Sequence, residues 1–174
     1  MTIQKMNPGP IHLRMAAPGT ISAKIEDNTL TGIAVPYGKM SAVLRDKSRP
    51  YREIVEPGSL KWDERTVMYT QHDHRGIPLA RVGSNTLRFS ESAEGLRFSA
   101  SLPESRVDVR EALERGDLDG SVSIGFVVDK QEWSNYGKSS VRRVTRGHLI
   151  ELSIVANGAY SQAAGTFNGG GNNG

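Results

Sequence analysis

Apolar and polar positions in this chain alternate over short windows, and only once do they fall into helical spacing. Residues 30–35 are apolar and small. Residues 53–55, Glu-Ile-Val, run into Pro57-Gly58, a turn signal. Residues 67–71 are β-branched and aromatic. Residues 86–89 and 96–102 flank Glu94-Gly95 and read as a hairpin. Residues 122–128 alternate apolar side chains with Ser and Gly. Residues 141–145 and 149–155 complete the strands, with a further turn expected between Gly137 and Lys138. The single helix is expected over about 106–115, where Val109, Ala112 and Leu113 make one apolar stripe. Ser105 stands where a cap is needed, with Asp108 three residues on as a variant capping box. Glu111 and Arg115 can pair across one turn, and Gly116 is placed to end the helix. Many strands around one helix predict a β-rich α+β domain, built as a closed or strongly curved antiparallel β-barrel with a few helices.

The ends differ from the middle. Residues 1–20 hold Pro8, Pro10, Pro18, Gly9 and Gly19 with little periodicity, and residues 168–174 are only Asn and Gly. Such segments bury too little apolar surface to offset their ordering entropy. The expected organisation is a flexible segment 1–20, a folded domain 21–167 and a flexible tail 168–174. Composition refines the picture. With 174 residues, 24% charged and 37% hydrophobic, the chain has ordinary globular usage for one domain. No run of ~18 apolar residues crosses a membrane, and the first residues lack the apolar core of a secretory signal. The lack of cysteine excludes disulfides, thiolate catalysis and Cys-ligated zinc, and fits a cytosolic protein. The net charge of +3 is small. The densest basic cluster, Arg142, Arg143 and Arg146, reads as a solvated strand face, so neither a membrane nor a specific nucleic acid is expected as a partner.

Three constellations carry candidate chemistry. His72 and His74 share a face if the strand before them continues, with Asp73 on the other. The pair suits either a single general base or part of a zinc site, although spacing specifies no third ligand. In 120–126, Ser121, Ser123 and Gly125 share one face while Val122, Ile124 and Phe126 turn to the core. Gly125 leaves room for another backbone to approach. In 149–155, Glu151 interrupts an apolar strand. A carboxylate there needs a partner, because an unpaired buried charge is costly. A histidine would make it chemical; an arginine would make it structural. A hydroxyl, an imidazole and a carboxylate thus lie on three separate strands, the parts of a serine nucleophile site.

In order along the chain, Gly32-Ile33-Ala34-Val35-Pro36-Tyr37, Glu53-Ile54-Val55-Glu56-Pro57-Gly58-Ser59-Leu60, residues 67–73, Gly95-Leu96-Arg97-Phe98, the helix, Ser123-Ile124-Gly125-Phe126, and Glu151-Leu152-Ser153-Ile154-Val155 with Ala159-Tyr160 resemble the prohead maturation proteases of tailed bacteriophages. That family is related in fold to the herpesvirus assemblin proteases, so the resemblance implies an assemblin-like fold and a protease domain over 21–167. It implies a serine endopeptidase with His72 as general base, Ser123 as nucleophile and Glu151 as third member. Assemblin relatives use a histidine in the third place, which makes His148 a rival. Glu151 is preferred because it is set inside the apolar strand. Ser121 is a rival nucleophile, and Ser123 is preferred because it directly precedes Ile-Gly-Phe. Ser153, on the face of Glu151, reads as packing. An arginine often holds the oxyanion in the relatives, and Arg142, Arg143 and Arg146 qualify by location. The implied substrates are the phage major capsid protein, its scaffold segment and the protease itself, cut inside the immature prohead in the host cytoplasm. Activity gated by assembly or self-association is expected, and no cofactor is indicated. The alternatives are a catalytically silent capsid-assembly or scaffold protein of the same fold, a metal-dependent hydrolase using His72 and His74, and a basic nucleic-acid binder.

Overall fold

A computed structural model describes residues 12–15, 24–45, 50–136 and 139–156. The strands are β1 (His12–Met15), β2 (Lys24–Glu26), β3 (Thr29–Pro36), β4 (Leu44–Arg45), β5 (Pro50–Val55), β6 (Leu60–Lys61), β7 (Val67–Thr70), β8 (Ala80–Arg81), β9 (Leu87–Glu91) and β10 (Gly95–Ser101). The helix α1 (Val107–Arg115) follows, then the long strands β11 (Val122–Tyr136) and β12 (Ser139–Ile154).

The expected hairpin is β9–β10, and it joins β3 and β2 in a four-stranded sheet of order β2-β3-β10-β9. The other sheet has eight strands and is built around β12. One flank of β12 pairs antiparallel with β11, which in turn carries β1. The other flank pairs parallel with β5, β6 and β7 in succession. Segments 141–145 and 149–155 are therefore one strand. Arg146, Gly147 and His148 look like an interruption in sequence, yet each pairs with β11, and Gly147 and His148 also pair with β6. The β1 strand falls inside the stretch 1–20 read as irregular. The turn expected at Gly137-Lys138 and the tail 168–174 lie outside the described residues.

The barrel expectation is corrected. Strand makes up 54% of the structure, but no sheet is closed or strongly curled. Closure needs the last strand to bond the first. Here one side ends at β1, and the other at the two-residue strands β4 and β8. Nor is the sheet purely antiparallel. Three strands met early in the chain run alongside β12, and parallel pairing of that kind needs a long crossover; the four-stranded sheet and α1 supply it. Instead of a few helices, the described residues hold α1 and one short 3-10 turn.

Helix α1 starts where its stripe predicts, but Ser105 does not cap it. Arg106 occupies the cap position without a side-chain cap, and its guanidinium holds Asp108 at 2.9 Å instead. Gly116 ends the helix at φ 79°, in the left-handed region that a glycine enters freely. Glu111 and Arg115 pair at 3.6 Å as expected.

The core lies between the sheets. Val122, Ile124 and Phe126 of β11 and Leu149, Leu152 and Ile154 of β12 meet Leu30, Leu87, Leu96, Phe98 and Ala100, and α1 adds Val109. Each of the Val, Ile, Leu and Phe side chains contributes about 1.5–3 kcal/mol by leaving water. The bulge in β12 between its pairings to Gly125 and Phe126 matters. It lets Leu149 and Leu152 both reach the core while Glu151 turns to the other face, opposite Gly125.

Candidate active site

Three neighbouring strands build the site. On β11, Ser123 faces away from the core, as alternation predicts. Across from it on β12 stands Ser153, and two residues along, Glu151 stands opposite Gly125. Gly125 lacks a side chain, so the sheet face beside the carboxylate stays clear. On the far flank of β12, β7 aligns Val67 with Glu151 and Tyr69 with Ser153.

The histidines do not come from a strand. β7 ends at Thr70, and the chain reverses through Gln71 and His72, at φ 52° and 55°. Asp73 N–H closes this turn on Thr70 C=O at 2.9 Å, and Gln71 N–H ties it to the end of β12 by donating to Ile154 C=O at 2.8 Å. Asp73 braces the next step, its Oδ1 accepting Arg75 N–H at 3.1 Å. The Arg75 amide, and then its guanidinium, hold the Asp73 carboxyl below the usual carboxylate range. Two consecutive non-glycine residues in the left-handed region cost about 1–2 kcal/mol each, and such strain clusters at functional sites.

The turn brings both imidazoles onto Glu151. His72 Nδ1 hydrogen-bonds Glu151 Oε1, and His74 Nε2 meets Glu151 Oε2. The other nitrogen of His72, Nε2, lies 2.8 Å from Ser123 Oγ. A carboxylate only accepts hydrogen bonds. Neutral His72 therefore carries its proton on Nδ1 and turns a lone pair toward the Ser123 hydroxyl. The chain of contacts Ser123–His72–Glu151 has the form of a base-activated hydroxyl with an oriented base. Both ends of it are buried and its middle is partly open: Ser123 is 0% exposed, His72 19% at the side chain and Glu151 1%. A fully desolvated carboxylate with an imidazole nitrogen against each oxygen avoids the penalty of a bare buried charge.

The rival residues fall elsewhere. His148 faces Asp63, with Nε2 3.4 Å from Oδ2. Asp63 is held below the usual carboxylate range chiefly by Arg65, with His148 adding to it. Ser121 precedes β11, and its backbone is bound to Asp119 and Val155. Ser153 is buried, and its Oγ has no hydrogen-bond partner among the described residues. Arg142, Arg143 and Arg146 pair with Glu53, Glu56 and Asp129. At about 3.3 Å per residue of strand, even Arg146 lies roughly 16 Å along β12 from Glu151. As for a zinc site, no cluster of three or more His, Cys, Asp or Glu among the described residues is arranged to hold a metal ion; both imidazoles aim instead at one carboxylate. Sequence reasoning missed the contact between His74 and Glu151, because strand geometry put His74 on a face without saying which carboxylate it would meet.

No curated protein and no solved structure matches the chain. The model of one protein family does match it, described as caudovirus prohead serine protease and spanning residues 19–168, a range that holds every residue of the site. By that match over most of its 174 residues, the chain belongs to the caudovirus prohead serine protease family.

Proposed function

We propose that this chain is a serine endopeptidase that cuts scaffold and capsid-protein segments inside the prohead, with Ser123 as nucleophile, His72 as base and Glu151 as the group that orients the base. Cleavage of its own chain is a further expected reaction. The observation that carries the reading is the unbroken line of hydrogen bonds from Ser123 Oγ through His72 to Glu151. His72 Nε2 takes the hydroxyl proton as Oγ bonds to the peptide carbonyl carbon. The imidazolium formed is stabilised by Glu151, and it returns the proton to the leaving amine as the C–N bond breaks. Water, activated by the same imidazole, then releases the acyl group from Ser123.

One observation favours the silent assembly protein as a second reading. Ser123 is 0% exposed, and a peptide carbonyl cannot meet a covered hydroxyl. For the protease, this burial makes the unliganded chain a closed form that opens when a substrate segment binds. That gating suits an enzyme made in the cytoplasm of a host whose proteins it must spare.

Co-expression with the cognate capsid and scaffold proteins separates the two, read by intact mass for wild type and Ser123→Ala. The protease predicts trimmed products with wild type alone. Equal trimming by both chains removes Ser123 as nucleophile. Trimming by neither leaves the assembly protein standing.

A further inference from the structure

Glu151 has two oxygens and two imidazole partners, and the proposed reaction uses only one of them. His74 is 51% exposed at its side chain and free to extend into solvent. Its Nε2 instead reaches inward to the 1%-exposed carboxylate, and its ring lies against Tyr69, centroids 5.3 Å apart at 33°. The charged neighbours on the same turn are engaged with each other, Arg75 Nε donating to Asp73 Oδ1 at 3.3 Å. Glu151 is thus the acceptor that His74 serves.

We propose that His74 is a positioning residue, the second hydrogen-bond donor that fixes the plane of the Glu151 carboxylate so that Oε1 stays on His72 Nδ1. The inference rests on the protease reading of the same site. Its physical basis is the torsion at the end of a glutamate. That last torsion is broad, so rotamer preference does not set the plane of the carboxylate. A single donor on Oε1 leaves the group free to rock about that contact. A second donor on Oε2, from a ring braced by Tyr69, converts one-point attachment into two. It also satisfies an oxygen that would otherwise be buried without a donor, which is costly. A neutral imidazole performs this task with Nε2 protonated. His74 meets the site at Glu151 Oε2, so its effect passes through Glu151.

The test compares His74→Leu, which keeps bulk without a donor, with His74→Gln, which keeps an N–H near the position of Nε2. Kinetics are read on a peptide spanning the junction identified by the co-expression experiment. His74→Leu is expected to lower kcat about 10- to 100-fold, the scale seen when outer partners of functional histidines are removed, with KM unchanged. His74→Gln is expected to restore kcat to near wild type. Unchanged kcat in His74→Leu overturns the proposal, as does a loss confined to KM, which would put His74 on the substrate. Equal damage in both variants overturns it too, since the donor would then be irrelevant. A second readout needs no turnover. In the Ser123→Ala background, the proton NMR signal of the His72 Nδ1–H hydrogen bond is expected to persist with His74→Gln and broaden with His74→Leu. A signal indifferent to both variants sinks the two-point hold even if the protease reading survives. Processing that persists in Ser123→Ala sinks the protease reading and leaves this spectroscopic result to judge His74.

Discussion

Two buried glutamates lie toward opposite ends of the same long strand, Glu53 beside it on β5 and Glu151 within it, and their partners set them apart. Near one end of β12, Glu53 lies beside Arg142 at 3.5 Å, with side chains 4% and 5% exposed. Near the other end, Glu151 is 1% exposed and is held by His72 and His74. Both solve the problem of a carboxylate in a dry interior. The solutions differ in what they allow next. A guanidinium is always charged, so both members of the Glu53 pair keep their charges. An imidazole enters neutral and gains a proton when a neighbour yields one. In the proposed reaction Glu151 therefore holds charge-stabilising capacity in reserve until His72 takes the Ser123 proton. The first pair suits architecture and the second suits a reaction cycle. The delivery of the partners differs as well. Arg142 meets Glu53 in register across paired strands, whereas the histidines arrive on a strained reversal.

Neutralising each carboxylate in turn tests whether the two ends of β12 differ in kind. Glu151→Gln keeps size and burial but gives up the charge that stabilises the His72 imidazolium and the acceptor that fixes its tautomer. The expected loss in kcat is about 10^3- to 10^4-fold, the scale known for the equivalent change in serine hydrolase triads, with the fold kept. Single-turnover cleavage of the junction peptide checks it. Retained activity would mean that the two imidazoles need no anion between them, and Glu151 would join Glu53 as architecture.

The opposite signature is expected from Glu53→Gln. Taking the counter-charge away from a guanidinium this deeply buried costs about 3–5 kcal/mol, read as a lower midpoint in urea unfolding. Cleavage per folded molecule should hold, since Arg142 is about nine residues of strand from Glu151, roughly 30 Å. Replacing both partners at once, with Glu53→Leu and Arg142→Met, should recover much of that stability. An activity loss in Glu53→Gln that exceeds the unfolded fraction would erase the distinction between the two ends of β12.

How much of this was legible in the sequence follows from whether each feature is local. The stripe Val109, Ala112, Leu113 encodes α1, and the alternation in 122–126 encodes which face of β11 meets the core; Val122, Ile124 and Phe126 are all buried there. The same alternation put Ser123 on the opposite face. The need of Glu151 for a partner was also readable, because burial of a charge is a local inference. Which partner it takes was not: a histidine and an arginine both suited it until β7, with the turn behind it, lay against that stretch of β12. The open sheet was hidden for a similar reason, since strand count says nothing about which edges meet. The bulge that lets Leu149 share the core face with Phe126 has no residue signature, and neither does the joining of 141–145 to 149–155 through Arg146, Gly147 and His148. The reversal at Gln71-His72 hid the role of His74. Left-handed pairs are signalled by Asn, Asp and Gly, and Gln-His carries no such signal.

That last point yields the smallest and most specific prediction, because the molecule contains its own control. Asp27 and Asn28 join β2 to β3 with φ of 46° and 61°, nearly the backbone of Gln71 and His72. Asp and Asn tolerate that region well, and this hairpin is plain architecture. Gln71 does not, and its side chain is exposed, so no packing is lost when it is removed. Gln71→Gly relieves about 1–2 kcal/mol of left-handed strain and gives back about 0.5–1 kcal/mol in chain entropy. The net expectation is a gain of roughly 0.5–1 kcal/mol in unfolding free energy. Asp27→Gly should be close to neutral in the same urea titration. The gain measures what the protein gives up to swing two imidazoles onto one buried carboxylate, something the in-register pairing of Glu53 with Arg142 achieves without a strained turn. Equal responses at the two turns would show that the reversal at His72 carries no strain, and that its geometry is as ordinary as the hairpin's.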